Sequence, residues 1–418
     1  AYNNMGITLQ EQGKLEEAIE AYNKALAIKP DNAEAYNNMG ITLQDQGKLE
    51  EALVSYNSAL AIKPNDADAY NNMGITLQDQ GKLEEAIEAY NKALAIKPDC
   101  ADTTENSLSL QAQLQGTALT TSTFSNQATE GSTLDTKLRP KFNIINAINS
   151  FLSADRSQAH RHIQNFDACD TKLLADLSFK DKVFCTAYSK YLSALLKEPF
   201  EKSPDFNTGN VIYHIGESHC LSYGHRNIEI NGATFWIAPV ITFGAKAFHF
   251  SHANDDAFKA ITKTNLTAIP EGSEIFISFG EIDCRPNEGF ISAAAKLDKP
   301  IEDLISSTVV GYLQWFSEHN KTWNHSIHFL NVPAPVYDEK YSLDVNADVA
   351  NVVALFNAQI KKQIVQYEFS LIDVYRFTLG QDGFSNSQFH IDEKHLGAKA
   401  IPEIEQQLNN ETTTDWRR

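Results

Sequence analysis

Apolar positions over the first hundred residues fall at helical spacing, as in "AYNNMGITLQDQG" and "KLEEALVSYNSALAIK", with polar residues filling the other face. The pattern then repeats. Pro30, Pro64 and Pro98 stand 34 residues apart, and Gly6, Ala18, Tyr22 and Ala25 recur as Gly40, Ala52, Tyr56, Ala59 and as Gly74, Ala86, Tyr90, Ala93. Each unit predicts an antiparallel helix pair in which Gly40, Ala52 and Ala59 permit close approach. One pair cannot bury its own apolar face, so the units are expected to stack into a superhelical rod with a concave surface.

The period is lost in "GTALTTSTFSNQATEGSTLDT", residues 116–136, whose Thr, Ser and Gly content predicts a linker. Helical patterning returns in a connector over 137–209, in "FNIINAINSFL" and "DKVFCTAYSKYLSALL", which either extends the rod or buttresses the region after it. From Val211 the pattern changes to short apolar runs, "VIYHIG", "EIFISFG", "SIHFLNVP" and "FSLIDVY". They are separated by stretches long enough for helices, such as "VNADVANVVALFNAQIKKQIVQ". Strands alternating with helices imply a parallel sheet covered on both faces, with ligands bound beyond the carboxyl ends of the strands. This second region is expected over 210–418.

Length and charge narrow the possibilities. A chain of 418 residues is expected to form two or three domains. A net charge of −19 with no dense Lys/Arg cluster argues against nucleic acid or anionic membrane as a partner. No apolar run approaches eighteen residues, so no membrane span is expected. Five cysteines, Cys100, Cys169, Cys185, Cys220 and Cys284, are odd in number and lack CxxC spacing. That disfavours a disulfide framework and fits a reducing, cytoplasmic compartment. The sequence opens inside a repeat, so export stays open as well.

The candidate chemistry begins at "VIYHIGESHC", where Ser218 stands just past a strand end. A serine hydroxyl is a weak nucleophile without a base. "FHIDEKHLG" supplies Asp392 and His395 at a spacing that lets a turn hold the carboxylate against one imidazole nitrogen, leaving the other to take the serine proton. "ISFGEIDCR" ends another strand between them. His249 and His252, and the group His214, His219 and His225, lack a further ligand in a zinc spacing, so neither metal nor cofactor is expected. His219, beside the nucleophile, is either a substrate contact or a packed imidazole. Asn254, Asn331 and Tyr337 are further candidates to line a cleft.

Two stretches resemble known families. Residues 1–98, with a decayed helix to about 115, resemble the tetratricopeptide repeat (TPR), which implies a protein or peptide partner on the concave face. The paired amides Asn3-Asn4, Asn37-Asn38 and Asn71-Asn72 either bind peptide backbone there or tie neighbouring helices together. Exposed rod ends also suit a homodimer.

Val211 to about Leu408 resembles the SGNH, or GDSL, hydrolases, on the order Gly-x-Ser, a central Gly block and Asp-x-x-His. The fold class expected is therefore α + α/β: a TPR solenoid followed by a flavodoxin-like three-layer α/β/α SGNH hydrolase domain. The resemblance implies Ser218 as nucleophile, His395 as base and then acid, and Asp392 as its orienting partner. Gly244 and Ser218 supply oxyanion donors. Glu217 stands where the family usually has Asp, and Ile282 where it has Asn. Losing such a donor slows acyl transfer roughly 100- to 1000-fold. Arg285 is the expected replacement, with Asp283 positioning it or the loop that carries it beside Ser218, against the alternative of an Arg paired with Glu281 or Glu288. The function implied is hydrolysis of small acyl esters, including O-acylated carbohydrate. The alternatives are an acyltransferase using the same serine and a non-catalytic TPR scaffold.

Overall fold

The computed structural model describes residues 1–114, 139–197, 200–201 and 210–411. The expected linker at 116–136 lies outside the described residues. The chain divides into two compact units, one built on residues 1–111 and the other holding most of the remainder, with Asp255–Ile261 grouping with the first.

The first unit is a series of helix pairs: Tyr2–Glu11 with Leu15–Ile28, Ala33–Asp45 with Leu49–Ile62, and Ala67–Asp79 with Leu83–Ile96, followed by Ala101–Gln113. The repeated glycine is explained by the repeated tyrosine. A Cβ at Gly40 would lie 2.5 Å from Tyr56 Cε1, and Gly6 and Gly74 meet Tyr22 and Tyr90 in the same way. Tyr22, Tyr56 and Tyr90 are fully buried between the helices of their pair. Burying a large apolar side chain is worth about 1.5–3 kcal/mol, so these rings anchor each pair.

Amides join one repeat to the next. Asn38, Asn72 and Asn106 each donate through Nδ2 to the Oδ1 of Asn3, Asn37 and Asn71, at 3.3, 3.2 and 3.1 Å. Gln10 and Gln44 donate to Asp45 and Asp79, both at 3.0 Å. The Asn pairs therefore serve as a ladder between repeats.

The second unit is a six-stranded mixed sheet with helices on both faces. Its strands are β1 Val211–Gly216, β2 Asn227–Ile230, β3 Ala233–Ile241, β4 Glu274–Ser278, β5 Ser326–Leu330 and β6 Ser370–Ile372, in the order β2-β3-β1-β4-β5-β6. All neighbours are parallel except β2 and β3. Alternation assigns the faces. Ile212, Ile237, Phe276, Leu330 and Ile372 pack with Ile401, Ile404 and Leu408 of the C-terminal helix Ile401–Glu411. Phe329, one residue out of that register, meets Tyr312 and Phe316 of helix Ile301–Trp323 edge-on at ring centroids 5.3 and 5.6 Å.

The helices of 139–197 buttress the sheet unit. Ile144, Ile148, Phe151, Leu192 and Leu196 share one buried cluster with Cys220, Leu221 and Ile241. The last two strands are shorter than the apolar runs "SIHFLNVP" and "FSLIDVY". Asp373 ends β6 because its side chain caps helix Val374–Thr378 through Arg376 N–H at 3.1 Å. The β2–β3 hairpin departs from the expected alternation of strands and helices. Its signal is Asn231-Gly232, which takes φ +52° and +76°, the pairing a two-residue type I′ turn requires.

Candidate active site

The site grows from the end of β1. Gly216 lies so close to β4 that a Cβ there would fall 2.4 Å from Ser278 Oγ, so only glycine lets the chain pass before it turns. The turn is the 3₁₀ stretch Ser218–Leu221, opened by Cys220 N–H donating to Glu217 O at 3.0 Å. Ser218 thus sits at the carboxyl end of β1, between β3 and β4, where the strand order reverses direction. In open α/β sheets that reversal leaves a crevice for ligands.

A second turn carries the base. Asp392 Oδ1 accepts from the backbone N–H groups of Lys394 and His395 at 2.8 and 2.7 Å, and Ile391 N–H bonds His395 O at 2.9 Å. The same carboxylate holds His395 Nδ1, at 2.7 Å from Oδ2 and 3.0 Å from Oδ1. His395 Nε2 then lies 2.8 Å from Ser218 Oγ, bridging 177 residues of chain. Tyr191, from helix Phe179–Leu195, stacks on the His395 ring at 3.8 Å and donates to Ser218 O at 3.1 Å. Nothing in the local sequence around Tyr191 marks it as part of this site.

Electrostatics poise the trio. Burial pushes the Asp392 carboxyl up, but its hydrogen bond and attraction to His395 outweigh that and leave it at about 2. Burial lowers the His395 pKa below its ordinary value against the pull of Asp392. His395 is therefore a neutral acceptor near pH 7, with its Nδ1 proton directed at Asp392.

Glu217 is nearly buried, at 3 % exposure. One of its oxygens contacts both Ser218 N–H and Ser218 Oγ, and the other pairs with His219 Nδ1. Burial would raise its pKa, but the charge of His219 holds it down.

The loops after β3 and β4 place the remaining candidates. Gly244 takes φ +68° in the β3 loop. Asp283 accepts from Ala247 N–H at 2.7 Å and Phe248 N–H at 3.1 Å, so it ties its own turn to the segment just past Gly244. Arg285 is held instead by Glu281, through Nε at 2.9 and 3.1 Å and Nη2 at 2.6 Å. Asp283 thus fixes the turn that carries Arg285 against the segment after Gly244, and the direct hold on the Arg285 side chain comes from Glu281. The Arg–Glu281 pair lies close enough to Glu217 for the guanidinium to lower its pKa. Asn331 is spent on structure, donating to Asp373 and accepting from Tyr375 N–H at 2.8 and 3.0 Å. Tyr337 packs edge-on against Phe384.

Glu217, His219 and Glu281 bring one ligand-type atom each within 4.8 Å of one another. All three already have charged partners, Glu217 and His219 in each other and Glu281 in Arg285. A cavity of about 170 Å³ adjoins the turns, lined by Arg285, Val332, Pro335, Val353, His390 and Lys394. No described helix is long and apolar enough to cross a membrane.

Comparison with known proteins bears on the first unit. Residues 6–47 match the family described as TPR repeat, and residues 31–99 that described as tetratricopeptide repeat. The N-terminal region is thus a TPR region. No curated protein matches the chain. Among solved structures, the first TPR of Spaghetti (RPAP3) bound to an HSP90 peptide is 27% identical over 26% of this chain and 86% of that one, with TM-score 0.26. The second TPR domain of human RPAP3, in complex with an HSP70 peptide, is 23% identical over 27% and 92%, with TM-score 0.26. The Sgt2 TPR domain from Aspergillus fumigatus is 20% identical over 26% and 74%, also with TM-score 0.26.

Proposed function

We propose that the sheet unit is a serine ester hydrolase of the SGNH type acting on small acyl esters, and that the TPR region binds a peptide or protein partner. The observation that carries the reading is the Ser218 Oγ–His395 Nε2–Asp392 alignment, at 2.8 and 2.7 Å, at a strand end where the sheet order reverses. The parallel strands, numbered in chain order, run 2-1-3-4-5, the flavodoxin-like order, which supports the three-layer SGNH fold.

In the mechanism, the Ser218 hydroxyl turns its one proton from Glu217 to His395 Nε2, which takes it as Oγ attacks the ester carbonyl carbon. The carbonyl π pair moves onto oxygen as the tetrahedral oxyanion. The Gly244 N–H, and the Ser218 N–H and Arg285 guanidinium once released from Glu217 and Glu281, are the donors proposed for that oxyanion. Collapse breaks the bond to the alcohol, which leaves with the proton from His395, and Ser218 keeps the acyl group. Water, deprotonated by His395, then releases the acid and restores Ser218. Asp392 holds the imidazolium formed in both halves. If another alcohol replaces water, the same steps describe an acyltransferase.

A second reading, a TPR scaffold whose sheet unit no longer catalyses, draws on one observation. The Glu217 carboxylate takes the Ser218 N–H that an oxyanion needs, and Ile282 offers no donor in compensation. Hydrolysis of a short p-nitrophenyl ester series by wild type, Ser218→Ala and His395→Ala decides between them. The esterase reading expects turnover of acetate or butyrate that both substitutions abolish. Equal rates for wild type and Ser218→Ala would leave the scaffold.

A further inference from the structure

We infer that His219 is a positioning residue: as a fixed imidazolium it bolts the turn carrying the base to the turn carrying the nucleophile. The inference rests on the esterase reading above. Both nitrogens of this ring face acceptors. Nδ1 meets the Glu217 carboxylate, and Nε2 lies 3.1 Å from the backbone carbonyl of Lys394, 175 residues away in the chain. A neutral imidazole carries one N–H, so an acceptor at each nitrogen calls for the doubly protonated ring.

Burial alone would expel that charge, and Glu217 restores it, so the His219 pKa is raised. The side chains of His219 and Glu217 are 10 % and 4 % exposed, so solvent does little to screen the pair.

The consequence is a strap running Lys394 O, His219, Glu217, Ser218. Its far end is the residue that precedes His395, and its near end grips both the N–H and the Oγ of Ser218. The Ser218–His395 distance is thereby set by a second route independent of their own hydrogen bond. The identity of residue 394 does not matter to this strap, because only its carbonyl is used.

The strap also carries charge to the base. The His219 and His395 rings lie 4.7 Å apart, and a cation there favours the neutral form of His395, the form able to accept the serine proton. The other titratable groups that interact with His219 are Glu217 in its own turn, Glu281 in the turn after β4, His214 on β1 and His390 in the C-terminal turn. Arg285 reaches it through Glu217 and Glu281.

The test uses the full chain and p-nitrophenyl acetate. In His219→Gln the positive neighbour is gone and Glu217 loses the charge that pairs with it directly; both changes favour protonated His395. The expected result is a kcat lowered about 10- to 100-fold with KM nearly unchanged, and an acid limb of kcat/KM displaced to higher pH. His219→Lys, which returns the charge without the planar pair of donors, is expected to restore the acid limb and not kcat. A kcat loss with an unmoved acid limb, or no change in either, overturns the inference.

Wild type and Ser218→Ala in the same assay report on the esterase reading separately. A readout independent of activity completes the test: ¹⁵N NMR of histidine-labelled protein, with the His219 signals assigned from His219→Gln. Both ring nitrogens still protonated above pH 6.5, the ordinary histidine value, is the expected result. A His219 that is already neutral there overturns the inference whatever the enzyme turns over.

Discussion

Replacing Asp392 by Asn isolates the step on which the proposed chemistry turns. The Asp392 carboxylate accepts four contacts: two from His395 Nδ1, one from His395 N–H and one from Lys394 N–H. An Asn has one acceptor oxygen. If that oxygen keeps the two backbone N–H bonds that shape the turn, the NH₂ group faces His395 Nδ1. The ring must then place its proton on Nε2, where it points at Ser218 Oγ and cannot accept. The turn survives and the base does not. From the cost of a wrong tautomer in a triad, kcat/KM should fall about 1,000- to 10,000-fold.

Stability should change far less. The Asp392 carboxyl, held at about 2, stabilises the fold above its unfolded value near 3.9, and that contribution is lost as pH falls through about 2. With the side chain 26 % exposed, solvent screening limits the contribution to about 1–2 kcal/mol. The assay is p-nitrophenyl acetate hydrolysis at pH 7.5, paired with thermal unfolding followed by circular dichroism. An Asp392→Asn enzyme within threefold of wild type would refute the assignment of Asp392. A collapse in melting temperature to match the loss of rate would refute the tautomer argument.

Three further outcomes rest on the same geometry. Gly74→Val should lower the melting temperature by the equivalent of about 1–3 kcal/mol, since a Cβ alone already lies 2.6 Å from buried Tyr90 Cε1; an unchanged melting curve would contradict the packing. Burial pushes the Asp283 carboxyl up to about 7 against two amide hydrogen bonds, so the fold holds this proton more tightly than the unfolded chain. Its contribution is therefore present below the unfolded value near 3.9 and is lost as pH rises through about 7; urea titrations from pH 4 to 8 should show that slope in wild type and not in Asp283→Asn. The acid limb of wild-type kcat/KM should fall below pH 6.5, because burial lowers the His395 pKa; a limb above 7 would contradict a buried neutral base.

Much of this is legible in the sequence, and the reason is local chemistry. The 34-residue period identifies the TPR region because each Gly–Tyr contact recurs inside one repeat. The triad candidates stand out because Asp392 and His395 form one short turn and Ser218 ends an apolar run. The β2–β3 hairpin has a sequence signal, Asn231-Gly232, hidden by the expectation of strands alternating with helices.

The features that sequence hides depend on contacts between distant segments. The stacking of Tyr191 on His395 and the reach of His219 to Lys394 join residues about 200 and 175 positions apart, which no spacing reveals. The Glu281–Arg285 pair is the bland alternative that the sequence offers for Arg285, and it is the contact that forms. Asp283 is linked to Arg285 by proximity in sequence, yet its bonds go to the backbone of Ala247 and Phe248. Buried carboxylates seek N–H donors wherever the fold supplies them.

The central claim is that Ser218 is a nucleophile activated by His395, and covalent trapping tests it most directly. The full chain is incubated with a fluorophosphonate and examined by intact mass and peptide mapping, beside Ser218→Ala and His395→Ala. One adduct per chain, mapped to Ser218, absent from Ser218→Ala and strongly slowed in His395→Ala, is the predicted result. Wild type that takes up no adduct, or Ser218→Ala that labels as wild type does, would contradict it.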